Sequence, residues 1–198
     1  MQLKAPAIVL AARAHGENAV ILRMLTQEAG LVAAYVAGGQ GRRLRPVVIP
    51  GNAIEADIRA RSASQLPFGK VELVTSRAPW LNEPLPAAAI LWVTALTATA
   101  LPERNPYPSL YDALGGLLDA ICHAPAARGW APALLSYEAL VLRELGYGGM
   151  KPEAGDLPQT LEALRKLAPA LERYLLADRH GDAMSARGRL LERLARIA

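Results

Sequence analysis

The sequence predicts two modules of different fold class, a small β-barrel in residues 1–78 followed by an all-α helical domain in residues 79–198. Three observations support the division. Short runs rich in β-branched residues occupy the first part, whereas leucines at helical spacing occupy the second. Net charge divides at the same place: ten basic and five acidic side chains give +5 for residues 1–78, and twelve and thirteen give −1 for the remainder.

Five short strands are predicted in the first module, at residues 7–10, 19–25, 31–36, 53–61 and 70–74. The fourth alternates most clearly, with Ile54, Ala56 and Ile58 on one side and charged residues between them. Five strands in under 80 residues, with no helix-length pattern, fit a five-stranded barrel such as the OB-fold. An SH3-like barrel would give much the same pattern, so the strands alone do not choose between the two.

Helical periodicity begins at residue 87, after prolines at positions 79, 84 and 86 that we interpret as a linker. Further helices are predicted over residues 109–121, 134–145, 160–176 and 182–197, and the third of the five ends at the glycine-rich segment 146–149. Five helices with short connections are typical of a compact all-α domain. Because this domain is nearly neutral and poor in candidate chemistry, we expect it to contact protein partners.

Several classes of protein are disfavoured by composition. The single cysteine, Cys122, rules out an internal disulfide and a paired-thiolate zinc site. The uncharged stretch at residues 87–101 would span about 22 Å as a helix, less than the ~30 Å hydrocarbon core, and is expected to be a buried core helix. With no secretory signal pattern at the start, we expect a cytoplasmic protein.

The segment Gly38–Arg45 is the most informative part of the sequence. Three glycines are followed by Arg42, Arg43 and Arg45 directly after a predicted strand. Flexible backbone with several guanidinium groups suits contact with the phosphates of an irregular nucleic acid strand. The segment lacks the GxxxxGK[ST] pattern of a nucleotide-binding loop. A solvated hairpin loop that is basic only for solubility is the alternative.

Other basic residues of the first module extend the predicted nucleic-acid-binding surface. The additional candidates are Arg13, Arg23, Arg59, Arg61 and Lys70. Aromatic stacking partners are scarce, because the barrel region offers only Tyr35 and Phe68, and we expect Tyr35 to belong to the core. Binding should therefore depend on phosphate charge, tolerate many sequences and weaken steeply with salt.

No constellation of residues predicts catalysis or metal binding. The three histidines, His15, His123 and His180, have no nearby nucleophile, and acidic residues show no ligand spacing. We therefore expect a non-enzymatic protein without cofactor or metal. An enzyme with an unrecognised site is the least favoured reading, and hydrolysis of a nucleotide or nucleic acid would support it.

The order of several motifs resembles a known family. His15-Gly16-Glu17 between two strands, Gly30 opening the third strand and the glycine-basic loop are similar to the amino-terminal OB-fold of the RecO family, bacterial recombination mediators. The helix ending in Leu145-Gly146-Tyr147-Gly148, and a closing segment with Ser185-Ala186-Arg187, resemble its later parts. Many members have a four-cysteine zinc site after this motif, and residues 149–156 contain no cysteine, so a zinc-free type is expected.

The resemblance implies binding of single- and double-stranded DNA, annealing of complementary strands, and loading of RecA onto DNA coated by single-strand-binding protein. It implies RecR and the acidic carboxy-terminal tail of single-strand-binding protein as partners, with Arg143 as a candidate contact for that tail, and a nucleoid-associated location in the cytoplasm. The alternative from another class is an RNA-binding barrel protein associated with translation or RNA metabolism.

Overall fold

Two units divide the chain, and each contains a different kind of secondary structure. The computed structural model describes residues 2–60, 62, 65–148, 153, 155–177 and 180–198. The first unit comprises Met1–Pro79 together with Leu101–Tyr111, and the second comprises Trp80–Ala100 together with Asp112–Ala198. All described strands lie in the first unit. A segment of the later sequence thus returns to the strand-containing unit.

The first unit is a closed five-stranded barrel. Its strands are β1 (Gln2–His15), β2 (Ala19–Thr26), β3 (Gly30–Val36), β4 (Ala53–Arg59) and β5 (Phe68–Thr75). Their order around the barrel is β1-β2-β3-β5-β4, with β4 bonded back to β1 and a parallel contact between β3 and β5. This arrangement confirms the OB-like barrel and excludes the simple consecutive order of a meander.

Strand β1 is far longer than the run at residues 7–10 predicted from composition. Its first half pairs with β4 and its second half with β2, and the register shifts between Val9 and Ala11. Such an irregularity bends a strand, which lets one strand contribute to both sides of the barrel. The ends of β1 are largely exposed and contain polar residues and alanine, so a continuous buried apolar run marks only the middle of the strand.

The segment between β3 and β4 packs its apolar side chains into the barrel core. Val47 and Val48 are buried, and Leu44 packs against them from a partly buried position. Two amides fix the segment: the side chain of Asn52 donates to the carbonyls of Pro46 and Val47 at 2.9 and 3.1 Å. At the other end, the Gln40 side chain donates to the carbonyls of Gly16 in the β1–β2 turn and of Ala19 at the start of β2, at 3.0 and 2.9 Å.

Gly30 must be glycine because residues Leu101–Tyr111, which we call the returning segment, pass directly against it. Its φ is +67°, and a Cβ placed there would lie 1.9 Å from the Asn105 carbonyl oxygen. The same segment bonds the barrel through the Arg104 amide, which donates to the Leu31 carbonyl at 2.8 Å. Glycine supplies both the left-handed backbone and the close approach that any larger residue would prevent.

The second unit contains five α-helices within its described residues. They are α1 (Pro84–Ala100), α2 (Pro108–His123, whose first residues belong to the first unit), α3 (Ala131–Glu144), α4 (Leu157–Leu175) and α5 (His180–Ala195). The interpretation of Pro84 and Pro86 as linker residues is wrong, because both lie in the first turn of α1. Proline is tolerated there, since the first helical N–H groups have no partner in the helix.

A buried polar cluster connects four helices of this unit. Glu138 on α3 accepts hydrogen bonds from Trp92 of α1 at 2.8 Å and from Nε and Nη2 of Arg187 of α5 at 2.9 and 2.6 Å. Arg187 also donates to the Leu164 carbonyl of α4 at 2.6 Å. The Glu138 and Arg187 side chains are at most 2% exposed. Burial of an ion pair at this depth is compatible with folding only because each charged group is hydrogen-bonded.

Candidate nucleic-acid interface

Strand pairing aligns five side chains across the outside of the barrel. Arg13 pairs with Ile21, Ile21 with Tyr35, Tyr35 with Phe68, and Phe68 with Arg59. Directly paired residues project from the same face of a sheet, so these residues form one band that crosses four strand interfaces. We call this band the aromatic row. It places two aromatic rings at its centre and an arginine at each end.

The rings of the aromatic row contact one another edge to face. The Tyr35 and Phe68 centroids are 5.3 Å apart with planes at 69°, and His15 adds a third ring 5.9 Å from Tyr35. The Phe68 side chain is 66% exposed, and Tyr35 is half-buried. The expectation that Tyr35 lies in the core is therefore wrong. Its neighbours Ala34 and Val36 point inward, so the alternation of β3 directs Tyr35 outward.

The row continues into a surface on β4 and β5 where opposite charges alternate. Arg59 donates to both carboxylate oxygens of Asp57, at 3.0 and 2.8 Å. Hydrogen bonding by Arg59 holds the pKa of Asp57 below its ordinary value, and the charges of Lys70 and Lys4 act in the same direction. Lys70 and Arg59 thus lie in a locally balanced surface, whereas a phosphate-binding track would carry unopposed cations.

The three arginines of the loop after β3 are all exposed, and anchored residues hold the backbone that carries them. Arg43 and Lys70 line a groove of 570 Å³ between this loop and β5, whose other walls include Val36, Leu44, Val47 and Leu73. We call it the β3–β5 groove. The predicted cations Arg43 and Lys70 are thus brought to one place, and apolar side chains lie between them.

The remaining predicted barrel cations fall in different surroundings. Arg13 is exposed at one end of the aromatic row. Arg23 is half-buried, and its guanidinium lies 3.7 Å from the carboxylate of Glu103 in the returning segment, which indicates a role within the unit. Arg61 lies outside the described residues.

A second exposed aromatic group occurs in the helical unit, around the predicted contact Arg143. Tyr147 and Tyr174 stack with centroids 4.9 Å apart and planes at 6°, and Arg173 lies 5.3 Å above the Tyr174 ring. Arg143 is exposed near the end of α3, and its guanidinium lies 3.6 Å from the adjacent Glu144 carboxylate. A Cβ at Gly148 would meet the Arg143 backbone at 2.7 Å, so glycine permits this tight return of the chain.

Sequence reasoning missed both aromatic groups and the buried ion pair. The side of β3 that Tyr35 occupies could have been found from the alternation of Val32, Ala34 and Val36. The pairing of Tyr35 with Phe68 carries no signal in the sequence, because it depends on the register of two strands that are distant along the chain.

Among the described residues, no set of three His, Cys, Asp or Glu side chains is placed to hold a metal ion. Cys122 is buried and forms no disulfide. In the same part of the chain, no helix is both long and apolar enough to cross a bilayer.

Two family models match the chain. The one described as Recombination protein O N terminal matches residues 1–77, which contain the barrel strands, and the one described as Recombination protein O C terminal matches residues 82–148. Together the matches cover most of the sequence and follow each other in the order of that family.

Curated relatives agree with these matches. A DNA repair protein RecO of Phenylobacterium zucineum is 38% identical over 149 residues, 75% of this chain and 60% of that protein. Those of Paracoccus denitrificans and Rhodospirillum centenum are 40% and 43% identical, over 75% and 72% of this chain and 60% and 56% of theirs. The matched part thus spans under two thirds of the relatives' length. On the barrel topology and these matches, the chain belongs to the RecO family.

Proposed function

We propose that the barrel binds single-stranded DNA across the aromatic row and that the protein acts in DNA repair as a recombination mediator. The observation that carries the first part is the centre of the row: the exposed Phe68 ring beside the half-buried Tyr35 ring on the outside of an OB-like barrel, with the exposed Arg13 at one end of the row. OB-folds bind single strands by stacking bases on aromatic side chains while cations contact the backbone.

The dimensions of the row suit an unpaired strand. Because β4 pairs back to β1, the row curves around most of the barrel, and four strand interfaces at ~4.8 Å each make it an arc of about 19 Å. A flexible unpaired strand can follow such a curved surface over a few nucleotides, and the smaller OB-fold sites hold about 4. In a duplex the base faces are stacked on one another, so the rings favour a single strand. The exposed Arg42, Arg43 and Arg45 would extend the contact to further phosphates.

The wider role rests on the relatives, which are named DNA repair protein RecO. We propose that this protein likewise anneals complementary strands and helps to load RecA onto DNA coated by single-strand-binding protein, with RecR as a partner. DNA binding and annealing of this kind need no covalent bond to be broken by the protein, so we propose a non-catalytic role. We place that role in the cytoplasm, at the nucleoid.

The loop after β3 that carries Arg42, Arg43 and Arg45, which we call the arginine loop, gives a quantitative test. Replacing Arg42, Arg43 and Arg45 with alanine should flatten the dependence of log affinity on log salt by up to roughly 2, because each lost single-strand phosphate contact removes ~0.7. A matched variant removes three exposed cations of the helical unit, Arg128, Arg165 and Lys166. Fluorescence anisotropy with an oligothymidine at several salt concentrations measures both slopes. Equal slopes for the two variants and the unmodified protein would exclude the loop from the site.

The RNA-binding alternative is separated from the proposal by comparing nucleic acids directly. Affinities for DNA and RNA oligonucleotides of the same sequence, and the rate of annealing of complementary DNA strands, are measured in one buffer. DNA annealing that is faster with the protein than without it supports the mediator role. A strong RNA preference without annealing would support the alternative.

We further propose that Arg143 and the stacked tyrosines contact the acidic tail of single-strand-binding protein. Exposed guanidinium groups at Arg143 and Arg173 match acidic side chains, and the Tyr147–Tyr174 pair offers an aromatic surface to a terminal phenylalanine. Arg143→Glu should weaken binding of an acidic, phenylalanine-terminated peptide by about tenfold (~1.4 kcal/mol), since it replaces attraction with repulsion between like charges. Calorimetry that gives equal affinities for both proteins would remove Arg143 from the site.

A further inference from the structure

The barrel closes between β3 and β5 by one paired position only. Tyr35 pairs with Phe68, and the Tyr35 amide donates to the Pro67 carbonyl at 2.7 Å. Beyond Phe68, β5 pairs with β4 through six further positions, whereas its other edge has no further paired position in the described chain. The β3–β5 groove lies along this open edge.

The open edge presents backbone groups that can bind another strand. Successive residues of a strand direct their N–H and C=O groups to opposite edges. The Pro67 carbonyl faces β3. Because this direction alternates, the backbone groups of Val71 and Leu73, four and six residues after Pro67, point to the same edge as the Pro67 carbonyl. Unpaired strand edges in natural proteins are usually covered or protected by charge, because they otherwise pair with other chains.

The side chains around this edge are apolar, with cations at the rim. Leu73 is 41% and Val74 is 62% exposed, values unusual for two consecutive apolar residues of a strand. Val36, Leu44 and Val47 face Leu73 across the groove, and Arg43 and Lys70 lie at its rim. Glu72 is the single acidic residue among those that line it. A bound segment would therefore need apolar side chains for the floor and acidic ones for the rim.

We propose that the open edge of β5 accepts an extended segment of a protein partner, with alternating branched apolar and acidic residues, as an added strand. The main-chain hydrogen bonds would supply affinity, and the groove and its cations would select the side chains. A nucleic acid fits this surface less well. Its phosphates need cationic donors along the whole contact, whereas the floor of this groove is apolar. The proposal does not depend on DNA binding by the aromatic row.

The test uses the full chain and a short, end-blocked peptide of alternating valine and glutamate labelled with a fluorophore. Two further versions carry N-methyl groups on all valines or on all glutamates, so that each loses the donors of one edge only. We expect the unmethylated peptide to bind and to slow hydrogen exchange of the Leu73 amide several-fold. One methylated version should bind roughly tenfold or more weakly than the other, since only one peptide edge pairs with β5.

Variants of the protein check the location. Leu73→Pro removes an N–H from the open edge but not from the β4 ladder, and it should abolish peptide binding. If the proline variant does not fold, Leu73→Ala serves instead: it truncates a groove side chain that is 41% exposed, keeps every backbone donor and is expected to weaken peptide binding. Three results would overturn the proposal: no binding at ~1 mM peptide, equal binding of both methylated peptides, or slowing of Leu73 exchange by oligothymidine in place of the peptide.

Discussion

Replacing Glu138 with alanine is expected to lower the free energy of unfolding of the helical unit by about 3–5 kcal/mol. The substitution leaves the guanidinium of Arg187, whose side chain is 2% exposed, without its carboxylate partner. It also removes the acceptor of the buried Trp92 indole N–H. An unpaired buried charge together with an unsatisfied buried donor is among the most destabilising changes a core can undergo.

Tryptophan fluorescence during urea unfolding measures this effect selectively, because all three tryptophans, Trp80, Trp92 and Trp130, belong to the helical unit. Glu162→Ala is the matched control: it removes a carboxylate that lies 2.7 Å from Lys166 on the surface, and its effect on the midpoint should be small. Replacing Glu138 and Arg187 together with leucine should be less destabilising than Glu138→Ala alone. A loss below about 1 kcal/mol for Glu138→Ala would show that the buried pair does not hold the helices together.

Replacing Phe68 with alanine is expected to weaken binding of single-stranded DNA by about 5- to 150-fold, because one stacked base contributes ~1–3 kcal/mol. The barrel should remain folded, since the Phe68 side chain is 66% exposed and contributes little to the core. The salt dependence of binding should stay unchanged, because no phosphate contact is removed. Lower affinity with an unchanged salt dependence distinguishes a stacking contact from the charge contacts of the arginine loop.

The control for Phe68→Ala is Leu91→Ala, which truncates an apolar side chain that is 47% exposed in the helical unit. Anisotropy titrations with oligothymidine are made for both variants, and circular dichroism checks that each is folded. Equal affinity of the Phe68 variant and the unmodified protein would show that the aromatic row is not a stacking surface.

Much of the barrel could be predicted because burial on one face repeats along a strand. In β4 the inward positions Ile54, Ala56 and Ile58 are all buried, as the alternation indicates. The extent of β1 could not be predicted in the same way. Its polar ends are held by backbone pairing to β2 and β4, which hydrophobicity does not report.

The candidate site was predictable only in its charged part. Arg42, Arg43 and Arg45 are adjacent in the sequence, so their grouping needs no knowledge of the fold. Tyr35 and Phe68 are separated by more than thirty residues and meet through the closing contact of the barrel. The pairing of Glu138 with Arg187 could not be predicted from the sequence either, because Arg187 reaches Glu138 from a helix near the end of the chain.

Ultraviolet crosslinking of an oligothymidine to the full-length chain, with the attachment sites mapped by mass spectrometry, tests the central claim most directly. Stacked thymine rings couple to the aromatic side chain that they contact, so the result is read residue by residue. Our account predicts crosslinks at Phe68 and Tyr35, and a marked loss of crosslinking in the Phe68→Ala variant. Crosslinks confined to Tyr147 and Tyr174 of the helical unit, with none in the barrel, would contradict it.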